Sequence, residues 1–143
     1  MQIQQLSIVG EDKSGRLAEI TEILGTAGVD IRAISVADTS DFGILRLIVD
    51  KPKEAVEALR AANLTVSLTS VIAVGIDDKP GEFAKAMRVL ADGEIGVEYM
   101  YAFISRDKGK AYVILRVLES DKAVECLKAS GISLLDAEEI YGM

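Results

Sequence analysis

Apolar positions along the chain follow two periods in turn, and the whole succession occurs twice. Gln4–Val9 alternates, with Leu6 and Ile8 on one face, which predicts a strand. Leu17, Ile20, Leu24 and Ala27 then recur at helical spacing, and Gly28 punctuates the helix end. Strands are predicted at Ile31–Asp38 and Ile44–Val49, the second rich in β-forming residues. Pro52 suits the first turn of a helix running to about Ala62, and a short strand near Leu64–Leu68 closes the set. The second set opens with a strand holding Ile72 and Val74, followed by Phe83, Ala86 and Leu90 on a helix ended by Gly93 or Gly96. Strands at Val97–Ile104 and Tyr112–Val117, a helix from about Asp121 to Ala129 and a strand near Ile132–Leu135 complete it.

The two sets are copies. Asp12-Lys13-Ser14-Gly15-Arg16-Leu17-Ala18 matches Asp78-Lys79-Pro80-Gly81-Glu82-Phe83-Ala84 at a spacing of 66. Ala55-Val56-Glu57-Ala58-Leu59 matches Ala123-Val124-Glu125-Cys126-Leu127 at a spacing of 68. The extra residues fall where Thr39–Phe42 is replaced by Ser105–Lys110, and insertions of this kind collect in hairpin turns. A βαββαβ order gives an α+β fold: two ferredoxin-like units, each a four-stranded antiparallel sheet with two helices on one face. The expected domains are residues 1–68 and 69–143.

The helices should cover Leu6, Ile8, Leu45, Leu47 and Val49. The opposite face carries Ser7, Ile44, Arg46 and Ile48 in one copy and Ala73, Tyr112, Ile114 and Arg116 in the other, too apolar to be left to water. On the second strands Ala33, Ser35 and Ala37 correspond to Tyr99, Tyr101 and Phe103. These triads fit either complementary surfaces or packing beneath their own helices.

Composition narrows the function. Half of the 143 residues are hydrophobic and 27% charged, as in a soluble globular protein. The net charge of −7 and the lack of a dense basic run argue against nucleic acid and acidic membranes as partners. Met1-Gln2-Ile3-Gln4-Gln5 does not resemble a signal peptide, and the most apolar run, Val71 to Ile76, is far short of the about 20 residues of a membrane span. One cysteine, Cys126, makes no internal disulfide, so a cytoplasmic location is expected. Cys126 stands where the first copy has Ala58 and reads as a small packed residue rather than a nucleophile. There is no histidine, no P-loop and no G-x-S-x-G, so neither a catalytic centre nor a metal or cofactor site is expected.

With its repeat and its Asp-Lys-Ser/Pro-Gly turns, the sequence resembles tandem ACT-domain proteins over essentially its whole length. The most specific segments are Glu11–Leu17, Asp77–Phe83, Gly28-Val29-Asp30-Ile31 and Gly93–Val97. The resemblance implies a regulatory module of the kind that binds amino acids in aspartokinase and phosphoglycerate dehydrogenase. Its partners would be a free amino acid or similar small carboxylate, a metabolic enzyme, and a second copy of the chain as a homodimer. In similar domains the ligand is held by the turn of one unit and the second strand of another. The implied ligand-binding residues are therefore Glu11, Asp12, Lys13, Ser14, Gly15, Arg16 and Leu17 in the first turn. Asp77, Asp78, Lys79, Pro80, Gly81, Glu82 and Phe83 follow in the second, with Asp30, Ile31, Arg32, Val97, Glu98, Tyr99 and Met100 on the second strands.

The turn has its own physical case. The first N–H groups of a helix lack intrahelical partners and lie at the positive end of its dipole, which suits a carboxylate. Gly15 and Gly81 let a ligand approach the backbone. Asp12 and Asp78 could brace the turn or meet an ammonium group, while the plain alternative is that these residues only cap a helix. Two further functions remain open: a structural adaptor docking an enzyme through its sheet faces, and an enzyme using carboxylates alone.

Overall fold

The computed structural model describes residues 3–10, 15–38, 43–103 and 108–142. They form two compact units, one made chiefly of Gln4–Thr69 and the other of Ser70–Tyr141.

In the first unit β1 (Ile3–Gly10), α1 (Arg16–Thr26), β2 (Ile31–Asp38), β3 (Gly43–Val49) and α2 (Pro52–Ala61) lead into β4, which begins at Val66. The strand order is β2-β3-β1-β4. Pro52 opens α2, where its missing N–H costs no intrahelical bond. Leu6, Ile8, Leu45, Leu47 and Val49 meet Ile20 and Leu24 of α1 and Val56 and Leu59 of α2 in one buried core.

The second unit uses the rest of β4 (Val66–Asp77), then α3 (Glu82–Asp92), β5 (Val97–Phe103), β6 (Lys110–Val117), α4 (Ser120–Ala129) and β7 (Ser133–Leu135). Its order, β5-β6-β4-β7, repeats that of the first. Ile72, Val74, Val113, Leu115 and Val117 pack with Leu90 and Leu127 in a second core.

Two details depart from the sequence expectation. The strands expected around Leu64–Leu68 and Ile72–Val74 are one twelve-residue strand, β4, with no break at Thr69–Ser70. A short helix, α5 (Ala137–Tyr141), follows β7 and buries Ile140. Its start is a reciprocal cap: the Glu139 N–H donates to Asp136 Oδ1 at 2.9 Å, and the Asp136 N–H to Glu139 Oε1 at 3.4 Å.

Register settles where the second-strand triads face. Ala33, Ser35 and Ala37 lie opposite Ile48, Arg46 and Ile44, and Tyr99, Tyr101 and Phe103 opposite Arg116, Ile114 and Tyr112. Directly paired residues share a face, so both triads point away from the helices rather than beneath them. On that face Ile48, Ala73, Tyr112 and Ile114 are buried, and Phe103 stacks on Tyr112 with ring centres 5.3 Å apart. The intervening residues of the edge strands face the helix side, where Ile34, Val36 and Met100 remain exposed.

Candidate functional site

Both turns deliver a glycine to the helix start in the left-handed region: Gly15 at φ 87° and Gly81 at φ 88°. Only glycine adopts this conformation without strain. A Cβ at either place would meet nothing within 4 Å, so backbone conformation rather than crowding calls for glycine. Glycine at the N-cap has no side chain with which to bond the first helical N–H groups.

In the first unit Glu11, Asp12, Lys13 and Ser14 lie outside the described residues, as do Thr39–Phe42 of the expected hairpin turn. Gly15, Arg16 and Leu17 line the mouth of a cleft of about 310 Å³. Its walls are mostly aliphatic, with Ile8, Val9, Ile20, Val36, Ile44 and Leu64 among them. Leu17 is 46% exposed and Val36 61%, unusual openness for side chains of this kind gathered at one place. Arg16 is the one charged group among the described lining residues; Asn63 and Thr65 supply side-chain polar atoms. Asn63 holds a positive φ of 65° just beyond α2, its N–H donating to the Arg60 carbonyl at 3.0 Å. Gly10 and Gly43, paired across β1 and β3, form the end of the sheet at the cleft.

The second turn is differently furnished. Asp77 ends β4 and accepts a hydrogen bond from Lys110 Nζ at 2.6 Å, and that cation holds its carboxyl below the usual carboxylate range. The Asp78 N–H donates to the Gly109 carbonyl at 2.9 Å, and the Glu82 N–H to the Lys79 carbonyl at 3.2 Å. Glu82, at the place of Arg16, is paired with Lys85 at 2.9 Å, which raises the pKa of that lysine. Asp78, Lys79 and Phe83 line a hollow of about 430 Å³ together with Met100 and Tyr101. The second turn and the second strand are thus brought together at Met100.

The other second-strand candidates lie elsewhere. Ile31 pairs with Val49 and Val97 with Val117, at the sheet ends away from the turns, whereas Gly43 and Lys110 mark the turn ends. Asp30 braces its own strand start: its N–H donates to Asp50 Oδ1 at 2.8 Å and its carboxylate pairs with Arg32. Glu98 pairs with Arg116 at 3.6 Å, and Tyr99 lies across from the same arginine. Within one unit these residues do not join the turn. Of the cleft residues only Gly15, Arg16 and Leu17 were expected from the sequence; Gly10, Val36, Asn63, Leu64 and Thr65 are among those missed. Asn63 follows a predicted helix, as a capping residue would, and carried no other signal.

Among the described residues no group of three or more acidic, cysteine or histidine side chains is placed to hold a metal ion. None of the described helices is long and apolar enough to cross a membrane.

A family model for the ACT domain pair matches residues 1–143. The chain belongs to the ACT domain pair family. Protein BT0572 from Bacteroides thetaiotaomicron shares 38% identity and a TM-score of 0.94 with this ACT pair, over 100% of this chain and 98% of that one. The ligand-free regulatory subunit of aspartate kinase from Thermus thermophilus superposes at a TM-score of 0.66, with 20% identity over 90% of each chain. The corresponding subunit from Thermus flavus gives 0.62, with 18% identity over 96% of this chain and 92% of that one. At such identities these two subunits share the fold of the ACT pair. No match was found among curated proteins.

Proposed function

We propose that this ACT pair is a non-catalytic regulatory protein that binds a free amino acid by its carboxylate at the cleft headed by Gly15 and Arg16. The observation that carries this is the junction, among the described residues of the first unit, of a helix start with glycine at its N-cap, the Arg16 cation and an aliphatic cleft. Its volume lies at the lower end of the about 300–1,000 Å³ usual for small-molecule sites, which suits a ligand of amino-acid size. β2 and β5 are the edge strands of their units, where a second copy of the chain would add a strand in a homodimer, and binding would act on a partner enzyme in the cytoplasm.

The test is a panel of the twenty amino acids at millimolar concentration, followed by melting temperature and calorimetry. At least one should raise the melting temperature, since a ligand bound only by the folded state stabilises it. Failure of all twenty on a folded sample would leave the adaptor function, which needs no ligand.

A further inference from the structure

The repeat provides an internal comparison that the cleft makes informative. Residues on both sides of the first cleft have counterparts in the second unit, but there they line two separate hollows. Leu17, Val36 and Leu45 correspond to Phe83, Ala102 and Val113, which line the hollow of about 430 Å³. Asn63, Leu64 and Thr65 correspond to Gly131, Ile132 and Ser133, which line another of about 350 Å³. Ile76, the counterpart of Gly10, lines both. A branched side chain therefore stands in the second unit where the first has only a hydrogen atom.

The chemistry diverges in the same direction. Glu82 replaces Arg16, so the second turn presents an anion where a carboxylate would need a cation. The 2.6 Å Asp77–Lys110 pair occupies the end of β4, and Asp77 too lines both hollows. Gly131 replaces Asn63, removing a carboxamide that can accept from an ammonium.

We infer that the chain takes one ligand, not two: an α-amino acid with an aliphatic side chain, admitted to the first unit because Gly10 leaves the turn side and the Asn63 side of one cleft continuous where Ile76 stands between them in the second, and because Arg16 stands where the second unit has Glu82. This rests on the function proposed above. The carboxylate meets Arg16 and the helix start, the ammonium meets Asn63, and the side chain lies among Leu17, Val36 and Leu64. A second charge on the ligand would enter these aliphatic walls without a partner, which disfavours acidic and basic amino acids.

Calorimetry on the full chain with L-leucine, L-alanine and L-aspartate tests each part. One L-leucine per chain is expected, bound at least about tenfold tighter than the other two, as burial of a branched side chain provides. Gly10→Ile should weaken L-leucine by about tenfold or more, and Ile76→Ala should leave it within about twofold. Gly10 lies outside the left-handed region and its Cβ would meet nothing within 4 Å, so the backbone accepts the change. Should Gly10→Ile nonetheless fail to fold, wild-type stoichiometry decides. Two equal sites per chain, or an equal loss from Ile76→Ala, overturns this inference while the proposed function stands. Equal affinity for L-aspartate overturns the ligand class. Binding of none of the twenty amino acids overturns both.

Discussion

Replacing Arg16 by glutamine removes the cation of the cleft and keeps a side chain of similar reach. A charge-assisted hydrogen bond is worth about 1.5–3 kcal/mol. The Arg16 side chain is 34% exposed, so solvent screens part of this and the lower end, about 1–2 kcal/mol, applies. At about 1.4 kcal/mol per decade, that is roughly a 5- to 30-fold loss of amino-acid affinity. Arg16 also touches Glu19 at 3.7 Å, a surface contact worth about 0–1 kcal/mol that competes for the guanidinium. Glu19→Gln should accordingly tighten binding by up to about fivefold. Glu82→Gln, at the matching place of the second unit, should leave the affinity unchanged. Titration calorimetry at fixed low salt, with circular dichroism as the check on folding, measures all three variants. If Arg16→Gln binds within twofold of wild type, the carboxylate is held elsewhere and the orientation of the ligand is wrong.

Two further outcomes concern the turns themselves. Gly15→Ala and Gly81→Ala should each lower stability in urea melts, since the left-handed conformation costs about 1–2 kcal/mol for a residue with a Cβ and the stiffer unfolded chain returns only about 0.4–1; Gly25→Ala inside α1, where a Cβ also meets nothing within 4 Å, should raise it. Asp77→Asn tests the Lys110 pair: because folding lowers the Asp77 pKa below 3.8, its stabilisation is present above that value and lost as pH falls through the folded pKa, so the melting temperatures of variant and wild type should differ near neutrality and converge in acid, a constant gap contradicting the assignment.

Local rules carried most of the architecture. The helical spacing of Ile20 and Leu24 and the alternation around Leu6 and Ile8 both reflect one buried face, and those residues form one core, whereas Leu17, of the same helical spacing, stands exposed at the cleft. Pro52 marked a helix start because its ring suits no later position in the helix. The break expected between the strand near Leu64–Leu68 and the one holding Ile72 and Val74 had no turn residue behind it: Val66–Val74 contains neither glycine nor proline, and the strand runs on. The missed α5 did carry a signal, Asp136 with Glu139 three residues later, in the pattern of a reciprocal cap. The cleft is another matter. Both glycine turns were legible, but Val36, Ile44 and Asn63 come from β2, β3 and the segment after α2, which meet only once the sheet has formed. The Gly10–Ile76 mismatch was visible in the repeat, yet its meaning depends on which cavities each residue borders.

The facing pair Gly10 and Gly43 has a consequence for motion as well as for space. Side chains across a strand pair contribute to holding it together, and glycine contributes none while keeping the largest backbone freedom. This end of β1 and β3 is therefore the part of its sheet with least to oppose opening, whereas Ile76 and Ala111 clasp the equivalent position in the other unit. A ligand seated there would spend part of its binding free energy ordering this edge, which hydrogen exchange with and without ligand would measure. Slower exchange at Gly10 and Gly43 on ligand binding, with none at Ile76 and Ala111, is the result expected if occupancy is read through backbone order.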